Sequence, residues 1–207
     1  MEKKPFHRMV KVLVHGTEEW HKCKNMAWKI IDRPIVQRND SQGQGEYGAS
    51  RNNSHGWHRG EDIIISPGQS VYAPFRAEVV RIGQAYSNST HFKTVWLHNL
   101  DNPSQLLKLF YVSPTVAAGT ILQKGQVIGY AQDIRDRYGD TMIPHLHIEI
   151  YDQQGITDPY QLNQTTPVNP SPYLRGGAGD NGALLLLLFG SIIWYKSRKN
   201  GKKKEKR

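Results

Sequence analysis

The sequence predicts an all-β domain, a sandwich or barrel of short antiparallel strands, on three observations. Seven segments rich in β-branched and aromatic residues follow one another between residues 62 and 151. Turn clusters separate them, among them Pro67-Gly68, Asn88-Ser89, Asp101-Asn102-Pro103 and Lys124-Gly125. Two stretches, Pro67–Pro74 and Gly119–Gly129, share the pattern of a tight turn feeding a short strand that turns again, which suits a sheet built from similar units.

Residues 1–41 are the least informative part. Trp20, Met26, Ala27, Trp28, Ile30 and Ile31 fit a short helix that stops before Pro34, and they suggest no chemical role. Residues 41–60 are rich in Gly, Ser, Asn and Gln and read as a loop. The expected strands are Asp62–Ser66, Ser70–Ala73, Glu78–Ile82, Thr94–His98, Leu106–Val112, Val127–Ala131 and Leu146–Tyr151. The β domain is expected over residues 42–160. Residues 161–182, rich in Asn, Pro, Thr and Gly, read as a linker whose first part, to about residue 174, is compatible with packing on the domain.

Residues 183–195 form an apolar run, Ala183 to Tyr195, with a basic tail at once behind it. At ~1.5 Å per residue the run reaches only ~20 Å, short of a ~30 Å hydrocarbon core. Trp194-Tyr195 nevertheless resembles an interfacial aromatic pair, and the tail fits the positive-inside pattern. These features lead to the expectation of a membrane-associated protein with its β domain in the periplasm or outside the cell. No secretion signal is visible at the N-terminus, where Lys11 interrupts the short run Val10–Val14.

The formal charge of +9 sits mainly in that tail. Residues 196–207 hold eight basic residues and one acidic, a net of +7, which leaves +2 for the rest of the chain. The basicity is therefore a terminal feature and not a binding face, and no nucleic-acid partner is expected. Cys23 is the single cysteine, which excludes an intrachain disulfide and a cysteine-based metal cluster.

The chemistry concentrates in two histidine-bearing stretches. On an extended strand His145, His147 and Glu149 share one face, and Leu146, Ile148 and Ile150 share the other. His58-Arg59-Gly60-Glu61-Asp62 reads as a loop entering a strand, able to turn His58 and Asp62 toward one ion. Each motif alone is weak evidence, because an ordinary polar loop or strand face carries the same residues. Together they supply an N/O donor set suited to Zn²⁺. Glu149 fits either a carboxylate that orients a histidine or a solvated strand residue. Arg51 fits substrate contact or loop structure, and His55 reads as an exposed loop histidine near the rim of the site. His91 and His98 carry no partner spacing, and His7, His15 and His21 belong to the uninformative N-terminal segment.

In order and spacing, His58-x-Gly60-x-Asp62-Ile63, Val71-Tyr72-Ala73-Pro74, Gly119–Gly129 and His145-x-His147 resemble the lysostaphin-like zinc peptidases. The stretches Val71–Phe75 and Lys108–Pro114 are also similar to the leukocyte cell-derived chemotaxins. The resemblance spans about residues 44–174. It implies a lysostaphin-like, duplicated-hybrid-motif antiparallel sandwich, followed here by a C-terminal hydrophobic segment. It also implies one Zn²⁺ held by His58, Asp62 and His147, with His145 as the catalytic histidine and peptide cross-links of bacterial peptidoglycan as substrate. One position departs from the family pattern. Active members usually carry a further histidine in a Tyr-x-His-x-Ser type segment, and here Tyr111 stands in that place, within Leu109–Ser113. A phenol with a reference pKa of ~10 supplies a hydrogen bond but no imidazolium at neutral pH. The resemblance therefore leaves two expectations. One is a zinc endopeptidase using His145 and Tyr111. The other is a weak or inactive zinc-binding module of the chemotaxin type, acting in binding or scaffolding.

Overall fold

The computed structural model describes residues 9–14, 17–22, 27–51 and 56–176, the first two ranges as backbone only. Its strands in chain order are β1 (Met9–Val14), β2 (Thr17–Lys22), β3 (Asn39–Asp40), β4 (Gly43–Gln44), β5 (Glu61–Ile64), β6 (Ser70–Tyr72) and β7 (Ala77–Tyr86). They continue with β8 (Ser89–Asn99), β9 (Gln105–Phe110), β10 (Val112–Pro114), β11 (Ile121–Leu122), β12 (Val127–Ala131) and β13 (His145–Asp152). Three short helices, α1 (Arg135–Tyr138), α2 (Pro159–Leu162) and α3 (Ser171–Arg175), complete the described chain.

The architecture is the antiparallel, mostly-β one the sequence predicts. A six-stranded sheet runs β11-β7-β8-β9-β13-β5, and a three-stranded sheet runs β10-β12-β6. The main core lies between them. Ile63, Val79, Val95, Leu97, Leu107, Leu109, Leu146, Ile148 and Ile150 of the larger sheet meet Val71, Val112 and Ile128 of the smaller one. Burying each such side chain contributes about 1.5–3 kcal/mol. The alternation of polar and apolar side chains along β13 locks its register, because a one-residue slip would turn its histidines into the apolar core and its isoleucines onto the polar face. The opposite face of the larger sheet carries a smaller cluster, Trp96, Leu106, Tyr151 and Leu162, in which α2 covers one end.

The two similar stretches found in the sequence pair with each other. β6 and β12 run antiparallel with Tyr72 opposite Val127, and the turns before them place Gly68 and Gly125 at positive φ. The tight-turn pattern thus recurs because each stretch enters the same small sheet.

Three expectations change. The strand expected over Leu106–Val112 breaks at Tyr111, whose φ of 66° is the one positive value among the described non-glycine residues. The break sends β9 to the large sheet and β10 to the small one. Residues 27–34 form no helix. Their backbone is held by tertiary partners, the Trp28 N–H by the Tyr173 carbonyl (2.7 Å) and the Ile30 carbonyl by the Tyr72 N–H (2.8 Å), and Ile30 and Ile31 lie in the core. The expectation of a membrane-associated protein is also corrected, since among the described residues no helix is long and apolar enough to cross a membrane. The run 183–195 that prompted it, too short for a full span at ~1.5 Å per residue, lies outside the described residues, as do the end of the expected linker and the basic tail.

Candidate metal centre

Strand pairing brings the two histidine stretches together. β5 lies antiparallel to β13 with Asp62 directly opposite His147. Cross-strand partners on one face sit within ~5.5 Å at Cβ, so the register alone makes carboxylate and imidazole neighbours. His58 arrives from the loop before β5. Gly60 lets that loop pass, because a Cβ there would collide with the Ile148 carbonyl and come within 2.9 Å of the His147 ring. Glycine is the residue for such close backbone approach.

One atom from each of His58, Asp62 and His147 lies within 4.8 Å of the other two, a group able to hold a metal ion. His58 Nε2 is 2.9 Å from His147 Nδ1, and Asp62 Oδ1 is 3.2 Å from the first and 2.9 Å from the second. Ligand atoms of a tetrahedral zinc with bonds of ~2.0–2.1 Å stand about 3.3 Å apart, so the three need only small adjustments to share such an ion.

The outer nitrogens show which inner ones carry lone pairs. His58 Nδ1 is 2.7 Å from the Glu46 carbonyl oxygen and His145 Nδ1 is 2.7 Å from that of Ile143, so each donates outward. His147 Nε2 faces Glu149 Oε1 at 3.4 Å. With the outer positions committed as donors, His58 Nε2 and His147 Nδ1 present lone pairs to one point beside a carboxylate. Facing lone pairs repel unless a cation or proton lies between them. Without metal, that role falls to a proton on His147. Burial alone lowers this imidazole, but Asp62 and Glu149 outweigh it and raise the pKa to about 9. The donor set therefore fits a divalent metal of the zinc type, which replaces that proton.

Asp62 is buried, and burial opposes its ionisation. The hydrogen bond from the protonated His147, with the His58 ring close beside it, nevertheless holds it well below the usual carboxylate range. Its Oδ1 faces the histidines while Oδ2 is gripped by Arg38 Nε and Nη2, both at 3.0 Å. Arg51 Nη2 lies 4.0 Å from the same Oδ2, and its guanidinium also donates to the Gln44 carbonyl. Glu149 is buried behind His147, and Lys108 Nζ (3.1 Å) and the Tyr151 hydroxyl (2.6 Å) hold its Oε2. Burial raises this carboxyl, but His147, Lys108 and Tyr151 together carry it far below the ordinary range.

His145 stands beside the cluster, with Nε2 3.9 Å from Asp62 Oδ2. Burial lowers its pKa against the pull of Asp62, which favours the neutral, proton-accepting ring. Tyr111 meets that ring edge-on, with centroids 5.4 Å apart and an interplanar angle of 89°. A cleft of about 400 Å³ opens on the other side of His58 and His147, walled by Arg59, Lys108, Glu149 and Tyr151.

All five residues singled out in the sequence, His58, Asp62, His147, His145 and Tyr111, thus lie together. Of the remaining histidines, His91 faces Asp136 at the surface (3.7 Å) and His98 bonds the Pro103 carbonyl (2.9 Å), both away from the cluster. His55, His7, His15 and His21 lie outside the residues whose side chains are described. Sequence reading missed Arg38, which belongs to the stretch that offered no motif.

The family model for peptidase family M23 matches residues 56–170. The chain belongs to peptidase family M23. Its curated relatives include leukocyte cell-derived chemotaxin-2 of Mus musculus, 31% identical over 118 residues, which covers 57% of this chain and 74% of the chemotaxin. The Bos taurus chemotaxin-2 is 30% identical over 120 residues, covering 58% and 74%. Among solved structures, the antimicrobial peptidase lysostaphin of Staphylococcus simulans superposes with a TM-score of 0.52 at 21% identity, over 77% of this chain and 60% of that one. At that identity the likeness shows the M23 fold alone.

Proposed function

We propose that this M23 domain is a zinc-dependent endopeptidase acting on peptide cross-links of the bacterial cell-wall type. The observation that carries the reading is the convergence of His58 Nε2, His147 Nδ1 and Asp62 Oδ1 beside His145, whose ring is anchored on the Ile143 carbonyl and is not needed as a ligand. In this reading His58, Asp62 and His147 hold the metal. When bound, zinc supplies Lewis acidity and lowers the pKa of a coordinated water to about 7.

The rest of the work falls to the chain's own side chains. His145, its Nδ1–H anchored on the Ile143 carbonyl, takes the proton of the attacking water at Nε2 and returns it to the leaving amine. Tyr111 donates its phenolic hydrogen to the developing oxyanion, a role that needs no ionisation. Glu149, fixed by Lys108 and Tyr151, holds the His147 ring in the tautomer with Nδ1 facing inward. The cleft beyond Glu149 accommodates the peptide on one side of the scissile bond.

The test is metal analysis together with digestion of purified peptidoglycan by wild type and His145→Ala. One zinc per chain with turnover lost in the variant supports the proposal, and zinc-loaded wild type that cleaves no cell-wall peptide refutes it. A second reading, a zinc-stabilised binding module without turnover, is favoured by Tyr111 in place of histidine and by the 31% identity to chemotaxin-2. That reading predicts peptide binding indifferent to His145→Ala.

A further inference from the structure

Arg38 and Asp40 lie before the region matched by the family, yet they reach its centre. The Arg38 side chain is 4% exposed and Asp40's is 5% exposed. The backbone around them is built rather than incidental. The Arg38 N–H bonds the Asp62 carbonyl, the Gly45 N–H bonds the Arg38 carbonyl, and the Asp62 N–H bonds the Gly45 carbonyl, each at 2.8 Å. Gly45 is forced at this junction, since a Cβ would stand 2.6 Å from the Arg38 carbonyl oxygen and 2.9 Å from Asp62 Cβ.

The side chains continue the connection. Arg38 grips Asp62 Oδ2 with two nitrogens, which leaves Oδ1 for the histidines. Its Nη1 donates to Asp40 Oδ1 at 2.6 Å. The other Asp40 oxygen, Oδ2, accepts the Ile143 N–H at 2.9 Å, and the carbonyl of Ile143 anchors His145 Nδ1 at 2.7 Å. The path Asp62–Arg38–Asp40–Ile143–His145 thus runs unbroken from one candidate ligand to the candidate base. Asp40 Oδ1 also accepts the Gln42 N–H (2.9 Å), a contact that closes its own turn.

We propose that Arg38 and Asp40 form a positioning clamp that sets Asp62 and His145 relative to each other. Arg38 holds Asp62 to a single inward oxygen by its planar fork, a geometry that lysine cannot reproduce. Asp40 divides its two oxygens between the guanidinium and the strand that leads into His145, so one buried carboxylate registers both functional side chains. The segment before the family domain is therefore a working part of the site. This inference rests on the metal-site reading above.

The experiment uses the full chain, with Arg38→Lys, Asp40→Asn and a core control, Ile150→Val. Zinc affinity is measured by competition with a chromophoric chelator, and imidazole tautomers by ¹⁵N NMR. Arg38→Lys keeps the charge and loses the fork, so a purely electrostatic role predicts unchanged affinity, whereas the clamp predicts a loss of about 10–100-fold. Asp40→Asn turns one acceptor into a donor facing a donor, and it is expected to shift the His145 Nδ1–H resonance. Ile150→Val is expected to lower the melting temperature with zinc affinity unchanged. Wild-type affinity in folded Arg38→Lys, or an unmoved His145 resonance in Asp40→Asn, overturns the clamp. If Arg38→Lys does not fold, Asp40→Asn decides alone. A wild type that binds no zinc overturns the metal reading, and the His145 resonance in Asp40→Asn, which needs no metal, still decides the clamp.

Discussion

The hydroxyls of Tyr86 and Tyr111 lie 2.9 Å apart, with the two rings stacked at 6.1 Å. Phe92 packs edge-on against both. Tyr111 holds its left-handed backbone because its N–H bonds the Lys93 carbonyl (2.9 Å) and its carbonyl accepts from the Gln132 N–H (2.8 Å). A non-glycine residue in that region costs about 1–3 kcal/mol, and such strain persists where the surroundings over-determine it. Burial pushes the Tyr111 phenol above its ordinary pKa, so it stays a hydrogen-bond donor throughout the neutral range.

If Tyr86 donates to Tyr111, the Tyr111 proton is left to point into the site. Tyr111→Phe is then expected to lower turnover about 10²-fold, and Tyr86→Phe to lower it by less. The double variant should equal Tyr111→Phe alone. Steady-state kinetics on a peptidoglycan-derived peptide measures this, and additive losses would argue against the pairing.

Tyr111→His supplies the imidazole that the family resemblance leads one to expect at this position. It is expected to raise kcat about 10²-fold with KM little changed. A side-by-side digestion of cell walls reads the result, and no gain would place the limit elsewhere in the site.

Metal removal should expose how much of the stability is linked to binding. At a thousandfold excess of free zinc over Kd the linkage is worth about 4 kcal/mol. For a domain of this size that corresponds to roughly 8–16 °C in Tm. Calorimetric melts before and after chelation check it, and an unchanged Tm contradicts the metal centre.

The metal-free protein should titrate through His147. Its folded pKa of about 9 is raised above the unfolded value of ~6.5. The stability it contributes is therefore fully present below pH 6.5 and is lost as pH rises through 9. Urea melts of metal-free wild type between pH 6 and 9.5 should show that decline, and His147→Gln should flatten it. Zinc binding at pH 7.5 should release about one proton per ion, read by calorimetry in buffers of different ionisation enthalpy.

Gly60→Ala tests the close packing under the site. The added methyl meets the Ile148 carbonyl and the His147 ring, and the carbonyl belongs to a central strand that cannot retreat. A loss of about 2 kcal/mol or more is expected, together with weaker zinc binding. Neutral behaviour in both assays would refute the contact argument.

Much of this was legible in the residues. Alternation along Leu146–Tyr151 fixed which face carries the histidines, since Leu146, Ile148 and Ile150 had to enter the core. The turn clusters marked the strand ends closely enough to recover β12 over Val127–Ala131. Tyr111 was identified by position but not by conformation. Its neighbours read as one continuous strand, and only tertiary hydrogen bonds to Lys93 and Gln132 hold the break. The segment 27–34 misled because apolar spacing cannot distinguish a helix from an extended chain laid into a core.

The sequence by itself determined the strand content, the donor types and the face on which they stand, because these follow from side-chain chemistry and the two-residue period of a strand. The tertiary structure alone decided that Asp62 sits opposite His147, that Arg38 turns one oxygen of Asp62 inward, and that Tyr111 leaves the strand to join Tyr86. Those are relations between residues 24 to 85 positions apart, and what joins them is sheet register and burial, neither of which is written locally in the chain.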